Sequence, residues 1–313
     1  MFRGWQFIEP RAPLKLVEKE DPVPGEREVV VETRAAGLCH SDVGFMEGIN
    51  ASMLAFTPII FGHEVSGTIK QLGPGVMGWE VGERVAIAGL GLDAPGLNTD
   101  GGFGEKVLAK EDLLVRIPEG VSFVQGAAAT DAGQTSRKAL RVGDVGAGTR
   151  VGIIGLGGLG LTAAKMAVML GAEVHAVEIN EGVWPLAVRA GVKRVVASPA
   201  ELADEQLDVF VDYAGFGTTT AAAIDAVRNE GTVVQVGMGA QFATIDTTLL
   251  VAKQVRLLGS LGGSYEDTLD VLRLMKLGLE ITATEIGFDE IPAGLERLKR
   301  GEVRGRLVAT RGE

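Results

Sequence analysis

The chain carries one cysteine and three histidines in 313 residues. A lone thiol, Cys39, cannot close an internal disulfide, so the fold does not depend on an oxidising compartment. Aromatic residues amount to only 5%, which argues against an aromatic-rich sandwich. Blocks of Lys or Arg are missing too. The 30 basic and 41 acidic side chains leave a net charge of −11, and nothing compensates it toward nucleic-acid phosphates or anionic membrane surfaces. The opening segment, MFRGWQFIEP, has no apolar core and no small-residue cleavage site, so no export signal is read there. The apolar stretch from Val151 to Val177 is interrupted by glycines and by Lys165, and reads as strand, turn, helix and strand rather than as a membrane span. A cytoplasmic protein with no nucleic-acid or membrane partner is the expectation.

What is plentiful is glycine, 45 residues, beside a hydrophobic content of 46%. That suits tight turns, close helix–sheet packing and a core large enough for two domains. From Leu14 to about Gly120 short β segments alternate with Gly/Pro turns: EVVVETRAAG, EVSGTIKQLGPGV, VGERVAIAG and EKVLAKEDLLVRIP. From about Gly133 strands and helices alternate, with near-continuous β-branched runs such as VGIIG, EVHAVEI and LDVFVDYAG, as a parallel sheet covered on both faces requires. An amphipathic helix in SYEDTLDVLRLMKLG and the segments ITATEIGF, IPAGLERLKRG and GRLVATRG follow, and are expected to return to the first domain. The expected fold is α/β: a β-rich domain, 1–132 plus 263–313, around a Rossmann doubly wound parallel sheet at 133–262.

The run VGIIGLGGLGLTAAKMA places Gly155, Gly157 and Gly160 in the GxGxxG spacing after an apolar strand and at the start of an apolar helix. Gly155 permits the tight turn, Gly157 lets the backbone approach a pyrophosphate, and Gly160 allows close packing of helix on strand. The backbone of Gly158 and Leu159 completes the phosphate cradle at the helix N-terminus. Glu178 ends the next strand eighteen positions after Gly160, where a ribose-binding carboxylate belongs. A carboxylate there accepts from ribose hydroxyls and repels a 2′-phosphate, so NAD(H) is expected over its phosphorylated relative. The plainer reading of Glu178 is a solvated acid at a strand end.

Two further segments, GLCHSD with Cys39, His40, Ser41 and Asp42, and FGHEVSG with His63 and Glu64, combine thiolate and imidazole, both good zinc ligands. Cys39 alone reads more readily as a buried structural thiol. With GAAATDAGQTSRKAL these segments resemble the zinc-containing alcohol dehydrogenases of the medium-chain dehydrogenase/reductase family, over essentially the whole chain. The resemblance implies a chaperonin-10-like (GroES-like) β-rich catalytic domain beside the Rossmann domain, and one catalytic zinc held by Cys39, His63 and Asp131. Asp131 stands where many members have cysteine; its other reading is an N-cap for AGQTSRKAL. Glu64 is an alternate ligand or supports one, and Asp42 either orients a histidine ligand or is a turn acid. The resemblance also brings His40 and Arg306 toward the cofactor phosphates, with surface residues as the alternative for both. His175 in EVHAV reads as a packed strand residue.

Two features depart from the family pattern. The loop that carries four cysteines in many members is short here, AGLGLDAPGLNTDGGFGEKV, and has none, so no structural zinc is expected. The relay histidine beyond the first ligand is replaced by Gly44, leaving Ser41, the cofactor ribose, water or another route to hand the proton outward; the other reading of Ser41 is a turn or cap serine. Phe45, Met46, Met53, Leu54 and Phe56 either line a substrate pocket or pack in a core. The resulting expectation is NAD(H)-linked hydride transfer between an alcohol and a ketone or aldehyde, in a homo-oligomer, dimer or tetramer. A zinc-free quinone/enone reductase and a noncatalytic nucleotide-binding protein are the alternatives.

Overall fold

The computed structural model describes residues 1–49, 51–89 and 94–311. The chain divides into two compact units, 1–134 with 262–313, and 135–261. The strands of the described residues are β1 Phe2–Phe7, β2 Lys15–Lys19, β3 Glu28–Leu38, β4 Ile59–Ile60, β5 Glu64–Leu72, β6 Arg84–Ile87, β7 Lys106–Lys110, β8 Leu114–Arg116, β9 Arg150–Ile154, β10 Glu173–Val177, β11 Arg194–Val196, β12 Val209–Asp212, β13 Thr232–Gln235, β14 Arg256–Gly259, β15 Ala283–Gly287 and β16 Arg306–Thr310.

In the first unit a seven-stranded sheet runs β15-β16-β3-β5-β6-β8, with β7 also paired to β3. The long strand β3, EVVVETRAAGL, is β-branched in its first half and small in its second, so it serves as the central template. Its first half pairs with β7 and its second with β16, while β5 lies antiparallel along it with Gly37 opposite Glu64. The pairing of β16 with β3 sets Leu307 opposite Leu38, which brings Arg306 to the end of β3 from nearly 270 positions away. Val29, Val31, Val65, Ile69 and Val85 form the core of this sheet. A second cluster holds Phe7, Phe61 and Phe103, with the first two rings stacked at 4.6 Å.

The segment EKVLAKEDLLVRIP, read from sequence as one β run, is broken by a 3-10 turn at Glu111–Leu113 into β7 and β8, which pair with different strands. The strands β1 and β2 before Leu14 and soon after it, joined with β4 in a small separate sheet, were not legible as a pair. Residues 90–93 of the short cysteine-free loop lie outside the described residues.

The second unit is a six-stranded all-parallel sheet in the order β11-β10-β9-β12-β13-β14. The order reverses between β9 and β12, which makes the sheet doubly wound with its switch point at the end of β9. That is the Rossmann arrangement expected from the alternating pattern. Strand residues such as Val151, Ile153, Phe210, Val211 and Val233 are fully buried, as helices on both faces demand. Among the described residues no helix is long and apolar enough to cross a membrane.

Candidate metal and dinucleotide sites

Three local structures deliver the expected metal ligands, all in the first unit. Cys39 lies at the junction where β3 ends and helix α1, His40–Glu47, begins. His63 follows Gly62, whose φ of +99° makes the turn into β5. Asp131 lies in a π-helical turn, Ala129–Gly133, between α2, Phe123–Ala128, and α3, Gln134–Val142. Because the preceding residues are already helical, Asp131 is not an N-cap. A π turn inserts one residue into a helix and re-aims its side chains, a device found often at functional sites.

The side chains converge. Cys39 Sγ is 3.4 Å from Asp131 Oδ2, and His63 Nε2 is 3.9 Å from the same oxygen. With Glu64 included, the four ligand atoms all lie within 4.8 Å of one another. Zinc bonds of about 2.0–2.3 Å in a tetrahedron place ligand atoms roughly 3.3–3.8 Å apart, so the cluster needs little adjustment. The soft sulfur, imidazole nitrogen and carboxylate oxygen are a zinc-competent set, and the three leave a fourth position open. The residues present therefore fit the ion.

Asp42 supports two ligands at once. Its Oδ2 accepts from the Cys39 backbone N–H at 2.9 Å, and its Oδ1 lies 3.2 Å from His63 Nδ1. That turns Nε2 toward the cluster. Burial pulls the His63 pKa down, but the charge of Asp42 and hydrogen bonds from the ring to Asp131, Asp42 and Cys39 outweigh it and hold the ring well above the usual value.

Glu64 and Arg306 complete the arrangement, and sequence reasoning saw neither role in full. Glu64 is completely buried, and burial pushes its carboxyl up to about 8 against the pull of Arg306. Gly37 makes its room: a Cβ there would come within 2.1 Å of Glu64 Oε2. Arg306, expected to face cofactor phosphates, is only 2% exposed, with Nη2 2.5 Å from Asp131 Oδ2 and 2.7 Å from Glu64 Oε1. The Glu64 contact is poorly directed, and both its oxygens lack a proper hydrogen bond. The sole sequence signal for Gly37 was a glycine inside an apolar strand; for Arg306 it was a charge in a strand otherwise fit for burial.

Ser41 Oγ is 3.6 Å from Cys39 Sγ. His40, the first residue of α1, is exposed. Gly44 lies in α1 and offers no proton carrier. Of the apolar stretch between the ligands, Phe45 is buried in the core, Met46, Met53 and Leu54 pack against it, and Phe56 is exposed.

In the second unit Gly155 adopts φ +83° immediately after β9. A Cβ at Gly160 would lie 1.8 Å from the Gly155 oxygen, whereas one at Gly157 would meet nothing within 4 Å. One glycine is thus fixed by packing and the other leaves open space against the backbone, as phosphate approach requires. Gly158 and Leu159 open helix α4, Gly158–Met169, whose N-terminus has no side-chain cap, so its first N–H groups are free to meet an anion. Glu178 is tied to this loop. Its Oε2 accepts from Leu156 N at 2.7 Å, its Oε1 from Asn180 N at 2.8 Å, and Trp184 Nε1 donates to its carbonyl. It is not a loose strand-end acid. His175 is fully buried in β10, with Nε2 3.0 Å from Glu173 Oε1.

The family profile for the alcohol dehydrogenase GroES-like domain matches residues 25–119, and that for the zinc-binding dehydrogenase matches residues 158–276. The chain is 30% identical to an alcohol dehydrogenase of Geobacillus stearothermophilus over 95% of its own length and 96% of that protein. It superposes with a TM-score of 0.92 on the structure of acetophenone reductase from Geotrichum candidum in complex with NAD, at 30% identity, covering 99% of this chain and 97% of that one. The alcohol dehydrogenase of Aeropyrum pernix gives 0.91 at 28% identity, over 99% and 100%.

Proposed function

For a chain that belongs to the alcohol dehydrogenases of the medium-chain dehydrogenase/reductase family, we propose zinc-dependent, NAD(H)-linked interconversion of an alcohol with its ketone or aldehyde. The observation that carries the reading is the meeting of Cys39, His63 and Asp131 around a common point, with Asp42 fixing two of them. A zinc ion held by these three residues supplies Lewis-acid polarisation of the substrate oxygen. The protein's own groups do the rest. Ser41, beside Cys39, takes the alcohol proton and passes it outward, since Gly44 cannot. The Gly155–Gly160 loop and the start of α4 hold the pyrophosphate, and Glu178 accepts from the ribose hydroxyls while repelling a 2′-phosphate. NAD(H) held there would supply the hydride-transfer chemistry, which is the cofactor's own.

The same ligand set stands against a zinc-free quinone/enone reductase, because that chemistry gives no reason to gather a thiol, an imidazole and two carboxylates in one buried place. The test is a panel of alcohols, ketones and aldehydes followed through NADH absorbance, with zinc content measured on the same sample. The expected result is alcohol-dependent NADH formation that chelation abolishes and zinc restores. Full activity after zinc has been stripped would refute the metal assignment, and a preference for NADP would refute the role given to Glu178.

A further inference from the structure

The second unit contains another cluster of ligating groups, remote in sequence from Cys39 and unused by the mechanism. Glu173 and His175 are two positions apart on β10, so both project from the same face of the sheet. Glu205 ends the 3-10 helix Pro199–Glu205, and its carbonyl is held by Arg150 Nη1 at 3.0 Å. The ligand atoms of Glu173, His175 and Glu205 all lie within 4.8 Å of one another. The imidazole is completely buried and its Nδ1 has no hydrogen-bond partner, an unusual cost for a strand residue inside a parallel sheet. Its Nε2 points at Glu173 Oε1, 3.0 Å away.

We propose that Glu173, His175 and Glu205 form a second divalent-cation site, selective for zinc-like ions, that clips the helix Pro199–Glu205 to β10. One nitrogen and two carboxylate oxygens, with water in the fourth position, suit a borderline ion such as zinc rather than magnesium, which favours oxygen ligands and its own water. The two carboxylates, with side chains 37% and 30% exposed, give the ion its way in from solvent.

Lys193 Nζ lies 2.9 Å from Glu173 Oε1 and Arg194 Nη1 3.1 Å from Glu205 Oε1. Both cations are exposed, and ion pairs of that kind hold weakly, which lets a divalent ion displace them. Ligation through His175 Nε2 replaces its contact with Glu173 Oε1 and puts the ring proton on the buried Nδ1, which has no acceptor, so the metal–nitrogen bond has to outweigh that cost. Glu173 opens β10, whereas Glu178 follows its end, so the cluster lies at the opposite edge of the sheet from the dinucleotide loop and does not compete with cofactor.

The test measures zinc bound per chain after equilibrium dialysis, and the zinc-induced rise in melting temperature, for wild type, His175→Gln, Glu205→Gln and Cys39→Ala. His175→Gln keeps an amide to face Glu173 and spares the buried position a void; Glu205→Gln changes a half-buried ligand and leaves an amide oxygen to accept from Arg194. The expected result is that each of these two variants binds one zinc fewer than wild type, while Cys39→Ala still shows a zinc-dependent thermal shift that the double variant with His175→Gln lacks. Undiminished zinc binding in both His175→Gln and Glu205→Gln overturns the proposal. Failure of the Cys39 site is distinguishable: wild type would then bind a single zinc, removed by His175→Gln and unaffected by Cys39→Ala.

Discussion

At the scale of single residues, the first unit spends its most constrained positions on two carboxylates. Asp131 reaches the ligand cluster through a π turn, and its Oδ2 serves Cys39 and His63 as well as Arg306. Asp131→Ala removes a ligand and leaves Arg306 with Glu64 and Cys39; zinc content and turnover should both collapse, with NAD affinity by fluorescence titration little changed. Glu178→Ala, by contrast, should leave zinc untouched and weaken NAD roughly tenfold, on the order of 1.4 kcal/mol for hydrogen bonds to a charged acceptor. Gly37 gives a sharper test, because its missing Cβ is what admits Glu64. Gly37→Ala should destabilise the protein by about 1–3 kcal/mol through overpacking. If the cause is the Glu64 carboxylate, adding Glu64→Ala should recover part of that loss in denaturant titrations, a non-additivity expected only of residues in contact. Glu178 could be picked out from its spacing to the glycine loop, and Cys39 and His63 from residue chemistry together with the family resemblance. Gly37 and the inward turn of Arg306 could not, since each depends on a strand partner that no local pattern names.

Elements were legible in proportion to how local their causes are. The β9–α4–β10 unit announces itself through an apolar strand, a glycine turn and an uncapped helix start, all within thirty residues. The closure of β16 on β3, which positions Arg306, joins the two ends of the chain, and the continuous apolar run within β16 shows only that it is a buried strand, not where it pairs. Glu105 marks a similar long-range junction. It precedes β7 and accepts from Arg3 N and Nε of β1 at 2.9 and 3.0 Å, and from Arg311 Nη2 just past β16 at 2.8 Å. Both guanidinium groups also lie over the Phe288 ring, at 5.5 and 5.4 Å. Burial alone would raise the Glu105 pKa, but the Arg3 backbone and side chain and the Arg311 charge hold it below the ordinary value. A depressed carboxylate contributes stability above its unfolded pKa and loses it as pH falls through the folded one. Glu105→Gln should therefore lower stability by about 1 kcal/mol at pH 7, and the gap from wild type should close as pH drops below about 4. Urea midpoints across that range measure it; a gap independent of pH would mean the effect is packing rather than charge.

At the scale of the whole molecule, the two proposed ligands fall on different units. Cys39, His63 and Asp131 belong to the unit 1–134 with 262–313, while Gly155 to Gly160 and Glu178 belong to 135–261. Anything that binds only the folded state stabilises it by mass action, about 2.7 kcal/mol at a hundred times its Kd. For a unit of 150–250 residues that corresponds to a rise of roughly 5–10 °C. Zinc bound through Cys39 should thus slow amide exchange at the end of β3, the start of β5, the π turn and β16, and should do so in wild type but not in Cys39→Ala. NAD should slow exchange in the turn after β9, the first turn of α4 and the residues around Glu178, and should do so in both proteins. Comparing exchange maps with zinc alone and with NAD alone separates the assignments, because the two sets of amides do not overlap in sequence. Cys39-dependent protection confined to 150–180 would place the metal in the wrong unit, and NAD protection absent from 155–162 would remove the glycine loop from the cofactor site.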